Sequence, residues 1–232
     1  MLLLARGLAV SFALAFGLQA AKGALIERID IGRSDIAIFI LNGPIVGGET
    51  IALQREISRL PPSLPLAVVL NSPGGSVREG VTLGQFFYEA KIPTFVMGFG
   101  GICYSSCSLA FLGGRDRITG KPARFKMSGG NLGFHQIRIT RTEEEKKKIY
   151  KKIDVDNQIK TTRAIALALI NYLASIHEDL SKLHLLLEAP AEKINLVTNE
   201  QALTLGINVM DDTAEEFIEA IAIQQRVQGA VK

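Results

Sequence analysis

The sequence predicts an α/β fold with a mostly parallel, buried sheet, on three observations. Ile36 to Leu41, Leu66 to Leu70, Pro93 to Met97 and Leu132 to Ile139 are short runs rich in β-branched and other apolar residues, each bounded by Gly, Pro, Asn or Asp. Such runs mark strands buried on both faces. Between them, Glu49 to Arg59 and Val77 to Lys91 carry apolar residues at helical spacing, so strands and helices alternate. Two of the strands run directly into glycine-rich turns that open helices, as βαβ units require.

Taken in order, residues 1 to about 25 carry one early cation, Arg6, then a Leu-, Ala- and Phe-rich run ending in small residues near Ala20 and Ala21. That is the pattern of a secretory signal peptide. Leu18 and Gln19 stand where a cleavage site favours a small residue, so an uncleaved membrane anchor is the alternative. The protein is therefore expected to be exported, periplasmic or held to the membrane by this segment alone, with residues 26–232 as one domain. No later stretch is long and apolar enough to span a bilayer.

The first two strands and the helix Glu49 to Arg59 follow, and then Ser76 with Glu79 forms a capping box for Val77 to Lys91. Thr142 with Glu145 predicts a second box and the start of a long helix. Its first part, EEEKKKIYKKIDVDN, reads as a solvated face with acids leading and lysines following, which suits the helix dipole. From Ile159 the pattern turns apolar, so the helix is expected to cover a sheet or another subunit.

Composition narrows the partners. The 232 residues are 47% hydrophobic and 21% charged, enough for one sizeable core. Lys and Arg total 26 against 23 Asp and Glu, a dispersed net charge of +3 that gives no reason to expect nucleic acid. Two cysteines and three distant histidines do not have zinc-site spacing, no metal is expected, and the Ser72-Pro-Gly-Gly turn matches neither phosphate-binding glycine fingerprint. No cofactor is called for.

Three segments carry candidate chemistry. In Asn71-Ser-Pro-Gly-Gly-Ser-Val77, Gly74 and Gly75 can adopt conformations closed to other residues and present N–H groups beside a helix N-terminus. The turn either holds an oxyanion or needs glycine on steric grounds alone. In Gly98 to Gly114, Ser105 or Ser106 opens a buried helix, as a nucleophile or as an N-cap. In Gly129 to Ile139, His135 lies in an apolar strand, as a general base or as a satisfied core histidine. His177 and His184, on late helices, read as structural.

In this order, NSPGGSV, GICYSSC and GFHQ resemble the proteolytic subunit of Clp protease and the wider Clp/crotonase superfamily. The resemblance covers roughly Ile36 to Ile139. Leu196 to Val209 is similar to the family's ending, a Ser/Thr-capped helix followed by a strand. It implies a fold of repeated β-β-α units and a serine peptidase-like hydrolase acting on peptides or proteins. The Gly-x-x-x-Ser frame from Gly101 makes Ser105 the nucleophile, His135 the base, and the N–H groups of Gly75 and Ser106 the oxyanion hole. It also implies a homo-oligomer built through helices.

The family's third residue, an Asp before the final capped helix, falls here near Pro190 and Ala191, so the usual triad is not intact. Glu188 and Glu192 are the nearest substitutes; Asp154, Asp156 and Asp179 are more distant, and a Ser-His dyad is the remaining option. Cys103 and Cys107 flank Ser105 where the family has small residues. Two buried thiols are the expected state, and a disulfide gating the site is the alternative. Three other functions fit the sequence: a non-catalytic Clp-like module for peptide binding or assembly, a Ser-Lys peptidase similar to signal peptide peptidase A using Lys121 or Lys126, and a crotonase-type acyl-thioester enzyme.

Overall fold

The computed structural model describes residues 23–218, except residues 33, 138–153, 191 and 214. The N-terminal export segment up to residue 22, the Thr142–Glu145 cap and most of the charged run from residue 143 therefore lie outside the described residues.

Strands β2 (Ala37–Asn42), β3 (Leu66–Asn71) and β4 (Thr94–Val96) pair in parallel, Ala37 opposite Leu66 and Val68 opposite Thr94. They form the centre of the main sheet, and both of their faces are covered. Phe39, Leu41, Val68 and Leu70 point into one core with Phe87 and Phe111, whereas Ile36, Ile38, Ala67 and Val69 join Phe95 in a second core behind the sheet. This period-2 division between two apolar faces makes the strands unbroken hydrophobic runs in sequence.

Around this centre, β1 (Leu25–Ile29) adds antiparallel at one edge, and β6 (Arg124–Met127) and β9 (Asn208–Met210) add in parallel at the other. The order is β1-β2-β3-β4-β6-β9. After β4 and again after β6 the chain leaves this sheet through glycine turns and enters a smaller one, made of β5 (Ile102–Tyr104), β7 (Asn131–Phe134) and β8 (Asn195–Leu196). The protein is thus mixed α/β with a mostly parallel sheet.

Helix α1 spans Glu49–Ile57, α2 Val77–Glu89 and α3 Ser106–Leu112. Ser76 caps α2 by accepting from Glu79 N at 3.3 Å, but the Glu79 carboxylate does not close the expected box. It accepts from Thr50 N of α1 at 2.7 Å and so joins the two helix starts. Helices α2 and α3 pack through glycines: a Cβ on Gly80 would stand 2.3 Å from the Ser106 carbonyl oxygen, and one on Gly113 would stand 1.9 Å from that of Gly84. The long helix α4 (Asp154–Ser175) buries Leu169, Tyr172 and Leu173, and Tyr172 Oη donates to Leu109 O of α3. Short helices α5 (Leu183–Leu187) and α6 (Asn199–Thr204) follow, the latter with a complete Thr198–Gln201 capping box.

The strand expected to reach Ile139 ends at Phe134. Beyond it, Gln136 N bonds Ala189 O at 2.9 Å, so the chain leaves the β5–β7 ladder for the segment after α5. A buried ion cluster stands behind α3. Glu178, 5% exposed, pairs with Arg124, Lys182 and Arg115, and Arg115 lies over the Tyr88 ring at 4.8 Å. Burial alone would raise the Glu178 pKa, but the Arg124 and Lys182 charges hold its carboxyl below the ordinary value.

Candidate active site

Ser105 is the single residue between β5 and α3. Its backbone, φ 58° and ψ −121°, has the angles of the first central residue of a type II′ turn, a position that glycine usually fills. A residue with a Cβ held there costs on the order of 1–3 kcal/mol, and such strain concentrates where a side chain must be presented. The strand-to-helix turn of nucleophilic serines has this character. Ser105 occupies the N-cap position, but its side chain makes no cap hydrogen bond, so the capping role weighed from the sequence is not the one it has. Ser106 differs: it is fully buried and its hydroxyl has no partner among the described residues. Of the two serines, Ser105 is the one that is partly exposed.

The turn is held from several sides. Ser105 N donates to Gly133 O at 3.2 Å, and Tyr104 N to Ser72 O at 3.0 Å. Ser108 Oγ reaches Cys103 O at 2.9 Å and Gly133 O. Gly74, at φ 89°, stands so close that a Cβ there would be 2.8 Å from that of Ser105. Gly75 follows at φ 143°, where a Cβ would be 2.1 Å from Ile45 O. Ile45 pins this turn from outside, its N–H donating to Gly74 O at 3.0 Å and its carbonyl accepting from Ser76 N at 2.7 Å. Gly74 N is spent on Ser72 Oγ at 3.0 Å. The N–H groups of Gly75 and Ser106 make no hydrogen bond within the described residues, which leaves them free for an oxyanion.

His135 follows β7, whose register with β5 pairs Tyr104 with Gly133. Ser105 and His135 therefore leave adjacent parallel strands at the same end. No hydrogen bond joins their side chains. His135 Nδ1 instead lies 2.6 Å from Gln136 O. A carbonyl oxygen only accepts, so Nδ1 carries the proton and Nε2 is left as the basic nitrogen. Gln136 is itself fixed to the chain after α5, through its N–H to Ala189 O and its Nε2 to Leu187 O.

Glu188 and Glu192 are exposed and neither bonds His135. Glu188 ends α5, beside the Ala189 carbonyl that anchors Gln136. Of the more distant acids, Asp179 caps the turn at Ser181, and Asp154 and Asp156 lie in the first turn of α4. Of the two lysines, Lys126 is buried in β6 with its ammonium bonded to Asn199 Oδ1, Met127 O and Ser128 O. Burial lowers its pKa, against the raising effect of Asp212. Lys121 lies in the turn before β6, at the end of the sheet where Ala123 O meets Thr94 N, opposite the end from which Ser105 emerges.

Cys103 and Cys107 form a disulfide rather than the expected pair of thiols, and the two do not share a helix. Cys103 is in β5 and Cys107 in α3, so the bond crosses the turn at Ser105, and both residues are fully buried. Ser72, Ser108 and Ile45 escaped the sequence reading. The two serines lie in the segments singled out there, but short polar residues beside glycine turns do not declare whether they will accept from an N–H, as Ser72 does from Gly74, or donate to a carbonyl, as Ser108 does. No protein-family model matches the chain, and a search of curated proteins finds no match.

Proposed function

We propose that the protein is a serine hydrolase of the Clp/crotonase-like fold, acting on peptides or proteins with Ser105 as nucleophile and His135 as base. The observation that carries this reading is the strained, uncapped Ser105 in a turn packed against Gly74, with the Gly75 and Ser106 N–H groups making no hydrogen bond among the described residues. In the reaction, His135 Nε2 takes the Ser105 proton as Oγ attacks the peptide carbonyl. The Gly75 and Ser106 N–H groups receive the developing oxyanion. The protonated histidine then gives its proton to the leaving amine, and water releases the acyl group by the same route in reverse. No cofactor enters the sequence of steps.

Among the described residues no carboxylate bonds His135, and the Gln136 carbonyl does half of the usual acid's task. It fixes the tautomer and the ring, but carries no full charge to stabilise the imidazolium. The expected enzyme is accordingly a slow one. In keeping with the sequence reading, it would be exported behind residues 1–25 and assembled as a homo-oligomer.

The same missing carboxylate favours a second reading, a non-catalytic module that binds peptides at this site. Labelling with a fluorophosphonate probe separates the two. The hydrolase reading expects an adduct on Ser105, absent from Ser105→Ala and slowed about a hundredfold or more in His135→Ala. No adduct on the folded wild-type protein overturns it in favour of the binding module.

A further inference from the structure

We propose that the Cys103–Cys107 disulfide is a positioning clamp on the nucleophile, holding the Ser105 turn in its reactive conformation; this inference rests on the serine-hydrolase reading. The two cysteines stand two residues to either side of Ser105, one in β5 and one in α3. Their Cα atoms are 5.2 Å apart. Four extended residue steps would carry the chain about 13 Å, so the bond forbids Tyr104 to Ser106 from straightening into a continuation of the strand.

The disulfide adds a covalent constraint to the hydrogen bonds that already hold the turn. Ser105 holds an unfavourable φ of 58°, and its own N–H bond to Gly133 O is long at 3.2 Å. The unbonded Ser106 hydroxyl adds no polar anchor. The bond closes a very short loop, the case in which cross-linking removes least entropy from the unfolded chain. Its main effect is therefore local, at the residue between the sulfurs. Both cysteines are shut off from solvent, which makes the bond a fixed part of the site rather than the redox gate weighed from the sequence.

The test compares wild-type protein, with the bridge verified by mass spectrometry, against a Cys103→Ala/Cys107→Ala double variant. An Ile38→Ala variant, which truncates the core behind the sheet, controls for lost stability. Two quantities are read: the rate of fluorophosphonate labelling, and hydrogen exchange of the amides between Ile102 and Leu112. The clamp predicts labelling at least about tenfold slower and faster exchange in this stretch for the double variant, with neither change in Ile38→Ala. Wild-type labelling and exchange in the double variant overturn it, as does equal slowing in Ile38→Ala.

If wild-type protein is not labelled at all, the hydrolase reading falls and exchange alone decides the clamp. Should the double variant fail to fold, wild-type chain refolded in dithiothreitol replaces it. Both cysteines are then thiols, their two hydrogens coming from the reagent as it closes to its ring disulfide, and the same outcomes apply.

Discussion

Replacing Ser105 by glycine should make the protein more stable while removing the proposed nucleophile, and replacing it by alanine should remove the hydroxyl alone. The angles φ 58° and ψ −121° penalise any residue with a Cβ by on the order of 1–3 kcal/mol, and glycine escapes that penalty. Glycine also gains freedom in the unfolded chain, which costs about 0.4–1 kcal/mol. The difference spans about 0–2.6 kcal/mol and centres on a gain of about 1.3 kcal/mol, or roughly 3–5 °C in Tm for a chain of this size. Alanine keeps the Cβ and the strain, and because the Ser105 hydroxyl caps nothing, its loss should change stability by less than about 0.5 kcal/mol. Urea titration with unchanged slope, supported by calorimetry, measures both variants. A glycine variant no more stable than the alanine variant would refute the claim that the turn is strained.

Two further perturbations act on the support of the site. Gly74→Ala places a methyl 2.5 Å from Tyr104 O and 2.8 Å from the Ser105 Cβ, so the turn must shift; fluorophosphonate labelling should slow by about tenfold to a hundredfold. Glu178→Gln leaves Arg124 and Arg115 buried without a counter-charge and should cost about 3–5 kcal/mol in chemical denaturation. Because the folded Glu178 pKa lies below its unfolded value, its stabilising contribution is complete above about pH 5 and is lost as pH falls through the folded value. Between pH 5 and pH 3, wild-type stability should therefore fall more steeply than that of the variant, and parallel curves would contradict the assignment.

The elements visible in the sequence were those whose burial is simple. In β2, β3 and β4 both faces meet apolar cores, so their residues form uninterrupted runs. Strand β6 hid because Arg124 and Lys126 read as surface residues, yet both are buried, one against Glu178 and the other against Asn199. Strands β5 and β8 are three and two residues long, too short for any period to register, and β9, equally short, was expected only from the resemblance, as the strand after a Thr-capped helix. Local pattern alone left Ser105 open against Ser106 and His135 open against a core role, and the family resemblance chose between them; the glycine turns were legible directly. The role of Gln136 was not, because it depends on a backbone carbonyl held from Leu187 and Ala189. The disulfide, the alternative rather than the expected state in the sequence, was hard to choose because spacing does not show that the chain changes from strand to helix between the two cysteines.

The position of β9 sets a timetable for folding. It pairs with β6 across Phe125–Asn208 and Met127–Met210, and the Asp212 carboxylate just beyond it accepts from Gly129 N at 2.9 Å and Phe99 N at 3.3 Å. Until that stretch has been synthesised, β6 has a bare edge, and the loops leading to β5 and β7 lack their tie. Pairing partners so distant in sequence make for slow, late assembly. A nascent chain therefore cannot complete the framework around Ser105 while its C-terminal part is still on the ribosome, so an incomplete chain does not display the finished turn to its surroundings.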